Sequence, residues 1–179
     1  GCMNSTASNY NPNANTTLEY GGELDNTFSG GGYSNGNQHL IFNASVDLII
    51  RSAVFYAENP NTITFELRNS TGTVIDDTTH FLIQGQQQLS LNLEVPIGTN
   101  MQLGIANGNS GLYRNNTGAM YPYIIGSEME ITGASNQSVQ DNWYYFYNIE
   151  VEAKCEEITN SSWDCDASGN CYDPGAGNG

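Results

Sequence analysis

Basic residues are scarce in this chain of 179 residues. Lysine and arginine number 4 against 19 acidic residues, and the formal net charge is −15. A surface of that sign repels nucleic acid and anionic membranes, so neither is expected as a direct partner. An apolar run of 18 residues is also missing, and we therefore expect no membrane span.

Charged residues of either sign make up only 13% of the chain. Polar and small residues take their place, namely asparagine, serine, threonine, glycine and tyrosine. Such a composition favours turns and strands over helices. This composition is typical of a β-protein that works outside the cell, so we expect a secreted or cell-surface location. No secretion signal opens the sequence, which suggests a mature form or a piece of a longer chain.

Cysteine is absent from the middle of the chain. The four cysteines are Cys2, Cys155, Cys165 and Cys171. Three of them fall in a C-terminal segment with little apolar surface, where disulfides are the expected use. Their spacing does not fit zinc-binding pairs. The pairing stays open, and so does the alternative that Gly1-Cys2 marks a lipoprotein cleavage site with a lipidated Cys2.

Apolar and polar side chains alternate with a period of two between positions 40 and 151. The clearest runs carry the apolar residues Ile63, Phe65 and Leu67; Leu89, Leu91, Leu93 and Val95; Met101, Leu103 and Ile105. Turn-forming stretches separate these short runs, a pattern that predicts antiparallel strands with one buried face. The sequence therefore predicts an all-β, jelly-roll-like antiparallel sandwich with irregular terminal segments held by disulfides.

Three local features refine this prediction. The alternation changes parity after Arg51-Ser52, which indicates a bulge or a corner. A first strand is expected around Thr27-Phe28, ahead of a glycine-rich loop. One continuous strand, aromatic at its start, is expected over residues 143–152, with Trp143, Tyr144 and Tyr145 in the core.

The ends of the chain resemble small repeats. Gly1-Cys2 and Ala7-Ser8-Asn9-Tyr10-Asn11-Pro12-Asn13-Ala14 resemble a short module repeated in large secreted proteins of Bacteroidetes, and the segment around residues 163–175 resembles a second such repeat. We therefore divide the chain into a repeat-like segment at 1–20, a β-sandwich at 21–154 and an acidic cysteine-containing tail at 155–179.

The central part carries a resemblance of its own, in the strand that ends at Val95-Pro96-Ile97-Gly98-Thr99, the turn at residues 112–118, Tyr121-Pro122-Tyr123 and the aromatic stretch 143–147. It resembles a β-sandwich module of secreted and surface proteins of Bacteroidetes. This resemblance implies a jelly-roll carbohydrate-binding or adhesion domain.

A glycan platform is predicted on the stretch 112–126. Sugar C–H faces stack on aromatic rings, and hydroxyls pair with amide and guanidinium groups. The candidate ligand-binding residues are Tyr113, Arg114, Asn115, Asn116, Tyr121 and Tyr123. The alternative is structural: Arg114 pairs with Glu128 or Glu130, and the tyrosines fill the rim of the sandwich.

The tail contains half of a calcium loop. Oxygen donors stand at the first, third and fifth positions with glycine at the sixth, but the glutamate expected at position twelve is missing. The candidate ligands are Asp164, Asp166, Ser168, Asn170 and Asp173. The preferred interpretation is an acidic turn closed by a disulfide, with no cofactor. A calcium site on these residues is the alternative.

These observations predict a non-catalytic extracellular module that binds a polysaccharide or a surface glycan. The alternative is a structural repeat of a long surface protein or filament, which contacts neighbouring copies or domains through edge strands. A hydrolase using a carboxylate pair such as Glu128 and Glu130 has little support, since 19 acidic residues produce such pairs by chance.

Overall fold

The computed structural model describes residues 2–7, 10, 12, 18–106, 108, 110–136 and 141–155, together with the backbone of 164–165 and 171–172. Over these residues the chain forms fifteen β-strands and no helix, so the predicted all-β fold is confirmed. None of the described segments is a helix long and apolar enough to cross a membrane. The strands are β1 (Leu18–Gly21), β2 (Gly31–Ser34), β3 (Leu40–Ala44), β4 (Leu48–Ala57), β5 (Asn61–Arg68), β6 (Val74–Leu82), β7 (Gly85–Val95), β8 (Gly98–Ile105), β9 (Leu112–Asn115), β10 (Tyr123–Ile125), β11 (Met129–Ala134), β12 (Trp143–Tyr144), β13 (Tyr147–Ala153), β14 (Asp164–Cys165) and β15 (Cys171–Tyr172).

Two antiparallel sheets form the body of the protein. Sheet A has the order β1-β13-β4-β9-β12, with β7 also paired to β4 and β2 to β9. Sheet B has the order β10-β11-β3-β8-β5-β6. The sheets pack face to face, and many neighbours are distant in sequence, as in the pairs β1-β13 and β3-β11. The predicted jelly-roll-like sandwich is therefore confirmed.

Aromatic contacts join the two sheets at the centre of the core. Phe55 on β4 of sheet A and Phe65 on β5 of sheet B lie with their ring centroids 4.4 Å apart. Phe146 contacts both rings, at 5.2 Å and 5.8 Å. All three side chains are fully buried, so the predicted alternation of β5 does bring its apolar face into the core.

The predicted change of parity on β4 is a β-bulge. Ile50 and Ala53 are both fully buried in the core, although two residues separate them. The pairing of β4 with β7 and with β13 shifts register at this point. Arg51 and Ser52 therefore both project from the outer face of sheet A, where a regular strand would turn one of them inward.

Two strand predictions are wrong. Thr27 and Phe28 lie in a turn, because the Asp25 carboxylate accepts hydrogen bonds from the backbone N–H and the hydroxyl of Thr27. The first strand of the sandwich is instead β1. The aromatic strand 143–152 is broken into β12 and β13, because Tyr145 adopts a left-handed φ of 64° that no strand accommodates.

The terminal segments meet at a disulfide between Cys2 and Cys155. The bond closes a loop with a sequence separation of 153 residues, and restricting the unfolded chain in this way contributes about 2–5 kcal/mol of stability. In the tail, the backbone of β14 pairs with β15 so that Cys165 stands opposite Cys171. The expected use of Cys165 and Cys171 in disulfides stays a prediction, and the sequence leaves their pairing open.

The aromatic contact between the sheets leads to a stability test. Phe55→Ala removes a fully buried ring, and we expect it to lower the free energy of unfolding by about 3–5 kcal/mol. Phe81→Ala is the matched control, because that ring is 67% exposed, and its effect should stay within about 0.5 kcal/mol. Urea unfolding followed by tryptophan fluorescence measures both. Equal losses would show that the ring contacts between β4 and β5 do not hold the sheets together.

Candidate functional site

A shallow polar groove crosses the outer face of sheet A. Its volume is about 580 Å³, within the range of small-ligand sites. Four strands line it, namely β1, β4, β7 and β13. The lining residues are Leu18, Arg51, Ser52, Gln88, Ser90, Asn92, Glu150 and Glu152.

One row of hydrogen bonds runs across all four strands of the groove. The Gln88 amide on β7 donates to the Ser52 hydroxyl on β4 at 2.8 Å. Ser52 in turn donates to the Glu150 carboxylate on β13 at 2.5 Å. The Tyr20 hydroxyl on β1 completes the row by donating to Glu150 at 2.9 Å. That hydrogen bond raises the pKa of Tyr20 above its ordinary value. A tyrosine hydroxyl with its ordinary pKa already carries its proton at neutral pH, so Tyr20 is a donor there.

A second row lies beside the first and is centred on Arg51. Its guanidinium donates to Glu152 on β13 at 2.5 Å and to the side-chain oxygen of Asn92 on β7 at 3.1 Å. A guanidinium carries five N–H donors in a fixed plane, so these two contacts set its orientation and leave further donors for a ligand. Asn92 adopts a left-handed φ of 50° at the register shift of β7.

The groove therefore presents fixed donors and acceptors beside an exposed aromatic ring. Tyr20 is 53% exposed at the β1 side. The charged groups are one guanidinium and two carboxylates, which leave the groove slightly negative. Neutral, hydroxyl-rich molecules suit such a surface, because each hydroxyl both donates and accepts.

The strand β9 divides the predicted platform between two faces. Neighbouring residues of a strand point to opposite sides. Tyr113 contacts Tyr33 and Tyr56 edge to face, at centroid distances of 5.4 Å and 6.4 Å. The Arg114 guanidinium instead lies 5.9 Å from the ring centre of Tyr144. These two predicted residues therefore do not share one binding surface.

Asn115, another predicted ligand residue, is fully buried. Its side-chain N–H groups donate to the backbone oxygens of Asn26 and Ser29 at 3.0 Å and 2.8 Å. Its oxygen accepts from the Tyr147 hydroxyl at 2.7 Å. Asn115 thus fastens the 22–30 loop to sheet A, whereas its neighbour Asn116 is exposed.

Tyr121 and Tyr123 belong to a separate cluster around the buried Trp143. Tyr121 stacks on the indole at 5.8 Å and Tyr123 contacts it edge to face at 4.8 Å. The Tyr121 hydroxyl donates to the backbone oxygen of Asn142 at 2.6 Å. Tyr123 donates to the Glu23 carboxylate; burial and this hydrogen bond raise the pKa of Tyr123 to about 12. Both hydroxyls are therefore engaged within the protein.

The aromatic residues predicted for the core do lie there. Trp143, Tyr144 and Tyr145 are each at most 1% exposed. The Arg114 guanidinium lies over the Tyr144 ring. Glu128 accepts hydrogen bonds from Ser127, and Glu130 accepts one from Asn43 at 3.3 Å. Among the described residues, the alternative pairing of Arg114 with Glu128 or Glu130 is therefore not observed.

A second depression of about 390 Å³ lies beside Tyr121 on sheet B. Ile41 on β3, Asn100 on β8 and Thr132 on β11 line it. It shares one residue with the predicted platform. We place the candidate site in the larger groove on sheet A, because there the polar groups form connected rows across four strands.

The predicted calcium ligands Asp166, Ser168, Asn170 and Asp173 lie outside the described residues, and only the backbone of Asp164 is described. Within the described part of the chain, no group of three or more histidine, cysteine, aspartate or glutamate side chains could hold a metal ion. Calcium binding by the tail stays a prediction.

Sequence reasoning missed the groove, although one clue was present. The parity change at Arg51-Ser52 turns two neighbouring polar residues outward, and bulges of this kind are frequent beside binding sites. The other lining residues come from strands far apart in sequence. Their meeting depends on the pairing of β4 with β7 and β13.

The buried position of Asn115 leads to a test that separates structure from recognition. Asn115→Ala leaves the partly buried backbone oxygens of Asn26 and Ser29 and the buried Tyr147 hydroxyl without this partner, so we expect a loss of about 3 kcal/mol in unfolding free energy. Asn116→Ala, one residue away and exposed, should change stability by less than about 0.5 kcal/mol. Thermal and urea unfolding of both variants measure the difference. Similar stabilities would contradict the fastening role of Asn115.

Comparison with known proteins gives no further guide to this site. No protein-family model matches the chain. Neither the curated proteins nor the solved structures contain a significant match. The resemblance to a Bacteroidetes module therefore stays a prediction, and a functional conclusion has to come from the geometry of sheet A.

Proposed function

We propose that this protein is a non-catalytic module that binds a neutral polysaccharide or surface glycan in the groove on sheet A. The observation that carries the proposal is the pair of hydrogen-bonded rows that cross four strands. Polar groups already held in place lose little conformational entropy when a ligand binds. The exposed ring of Tyr20 adds an apolar surface for a sugar C–H face.

Charge supports the neutral class of ligand. The chain carries a net charge of −15, and the groove itself has two carboxylates for its one guanidinium. Polysaccharides with carboxylate or sulfate groups would meet repulsion both at a distance and on contact. Neutral glycans have hydroxyls for the amide, hydroxyl and carboxylate groups and no charge to be repelled.

The disulfide between Cys2 and Cys155 supports an extracellular setting. Disulfides form and persist in oxidising compartments and are rare in the cytosol. Polysaccharides and surface glycans are plentiful outside the cell, so a secreted or cell-surface module would meet them there.

The proposed role of the groove is tested by measuring glycan binding to two glutamine variants, one inside the groove and one on the other sheet. Gln88→Ala removes an amide from the groove, and we expect roughly tenfold weaker binding of a neutral glycan, the effect of about one hydrogen bond. Gln102→Ala on β8 of sheet B is the control and should bind as the unchanged protein does. An array of neutral and acidic polysaccharides finds the ligand, and isothermal titration calorimetry measures the affinities.

Two results would contradict the proposal. Binding confined to acidic glycans, or equal affinities for the Gln88 and Gln102 variants, would exclude the neutral-glycan groove. Release of reducing ends from any polysaccharide on the array would show that the protein is an enzyme. Loss of that turnover on Glu150→Gln or Glu152→Gln would then place the chemistry in the same groove.

A second candidate, association between copies, is favoured by exposed apolar side chains at one edge of sheet B. Phe81 on β6 is 67% exposed, and Ile83 just after this strand is 60% exposed. β6 ends the strand order of its sheet, and edge strands readily contact other chains. Sedimentation velocity without sugar should then show a mass that rises with concentration and falls on Phe81→Asp. A monomer at every concentration would contradict this candidate.

A further inference from the structure

Three tyrosines from three strands follow one another on sheet A. Tyr33 on β2 and Tyr113 on β9 are direct cross-strand partners, with ring centroids 5.4 Å apart. Tyr56 on β4 continues the row at 6.4 Å from Tyr113. We call Tyr33, Tyr113 and Tyr56 the tyrosine row. The groove described above includes none of these three residues.

The tyrosine row lies on the same face of sheet A as the groove. Along β4, Ser52 and Tyr56 alternate with Ala53, Phe55 and Ala57, which are fully buried in the core. Ser52 and Tyr56 therefore share the outer face, and four residues of strand separate them by about 13 Å. The row thus begins at Tyr56, further along β4 than the groove, and continues across β9 to β2.

Exposed amides on β7 continue from the groove towards the row. Gln88, which lines the groove, is the cross-strand partner of Val54, and Gln86 is the partner of Tyr56. Both glutamine side chains are exposed. A ligand that extends along β7 beyond Gln88 therefore meets the Gln86 amide beside Tyr56.

The row becomes more exposed away from the sheet centre. Tyr147, which contacts Tyr56 edge to face at 5.3 Å, is fully buried. Tyr56 and Tyr113 are partly buried, and Tyr33 is 47% exposed. A purely structural cluster would cover its rings, whereas this one is anchored at Tyr147 and presents its far end to solvent. The edge-to-face contacts hold the rings in place before any ligand arrives.

Distance decides which ligand can use both surfaces. A single sugar in the groove cannot also contact rings about 13 Å along the strand, but a linear chain of sugars can. Its units can hydrogen-bond in the groove, pass the glutamines and then stack on the tyrosines.

We propose that the tyrosine row is a second part of the glycan site, and that the ligand is therefore a linear neutral polysaccharide and not a single terminal sugar. This inference rests on the proposed function of the groove. It adds a length requirement: affinity rises with the number of sugar units until the chain reaches Tyr33.

The test compares short and long ligands on the full chain. Isothermal titration uses the disaccharide and the hexasaccharide of β-1,4-linked gluco-, xylo- and manno-oligosaccharides, together with those of any neutral glycan bound on the array. We expect the hexasaccharide to bind at least about tenfold more tightly than the disaccharide, as one added aromatic contact provides. Tyr33→Ala should remove this gain and leave the disaccharide affinity unchanged.

Two further variants make the result specific. Tyr33→Phe retains the ring and should keep the gain with length. Tyr10→Ala, at a tyrosine that is 42% exposed in the N-terminal segment, is the matched control and should also keep it. Because Tyr33 is half exposed on a short strand, its replacement should leave thermal unfolding close to that of the unchanged protein.

The outcomes separate this inference from the proposed function. Equal affinities for both lengths, or a Tyr33→Ala variant that weakens both equally or neither, would overturn the role of the tyrosine row while the groove stands. Binding of no neutral glycan at any length would overturn both.

Discussion

The bulge on β4 is the constraint on which the outer surface of sheet A depends. Ile50 and Ala53 both enter the core, and a regular alternation would allow only one of them to do so. The bulge lets both stay buried and sends Arg51 and Ser52 outward together. Turning the guanidinium into the apolar core would cost several kcal/mol. Burial of apolar side chains therefore stabilises the same irregularity that assembles the polar groove.

The aromatic residues of the sandwich fall into two groups, one in the core and one on the outer face of sheet A. Phe55, Phe65 and Phe146 join the sheets inside, and Trp143 is closed off by its neighbours and fully buried. The tyrosine row lies on the outer face, where strand pairing sets the positions of its side chains. Under the proposed function, recognition would therefore need no flexible loop.

Sequence patterns predicted the fold well because its causes are local. A period of two places Ile63 and Leu67 in the core, and the parity change at Arg51-Ser52 marks the bulge. The site depends on distant pairing, which one sequence does not reveal. Asn115 illustrates the difference, because the backbone oxygens that accept its hydrogen bonds lie 86 and 89 residues away along the chain. A polar residue beside tyrosines looks like a ligand contact until those partners are known.

The disulfide between Cys2 and Cys155 has a mechanical consequence. A pulling force applied to the two ends of the chain passes from one cysteine to the other through the covalent bond. The strands between them, from β1 to β13, lie outside this load path. Tension applied to the two ends of the chain would therefore be carried by the disulfide, and the sandwich with its outer face would keep its shape.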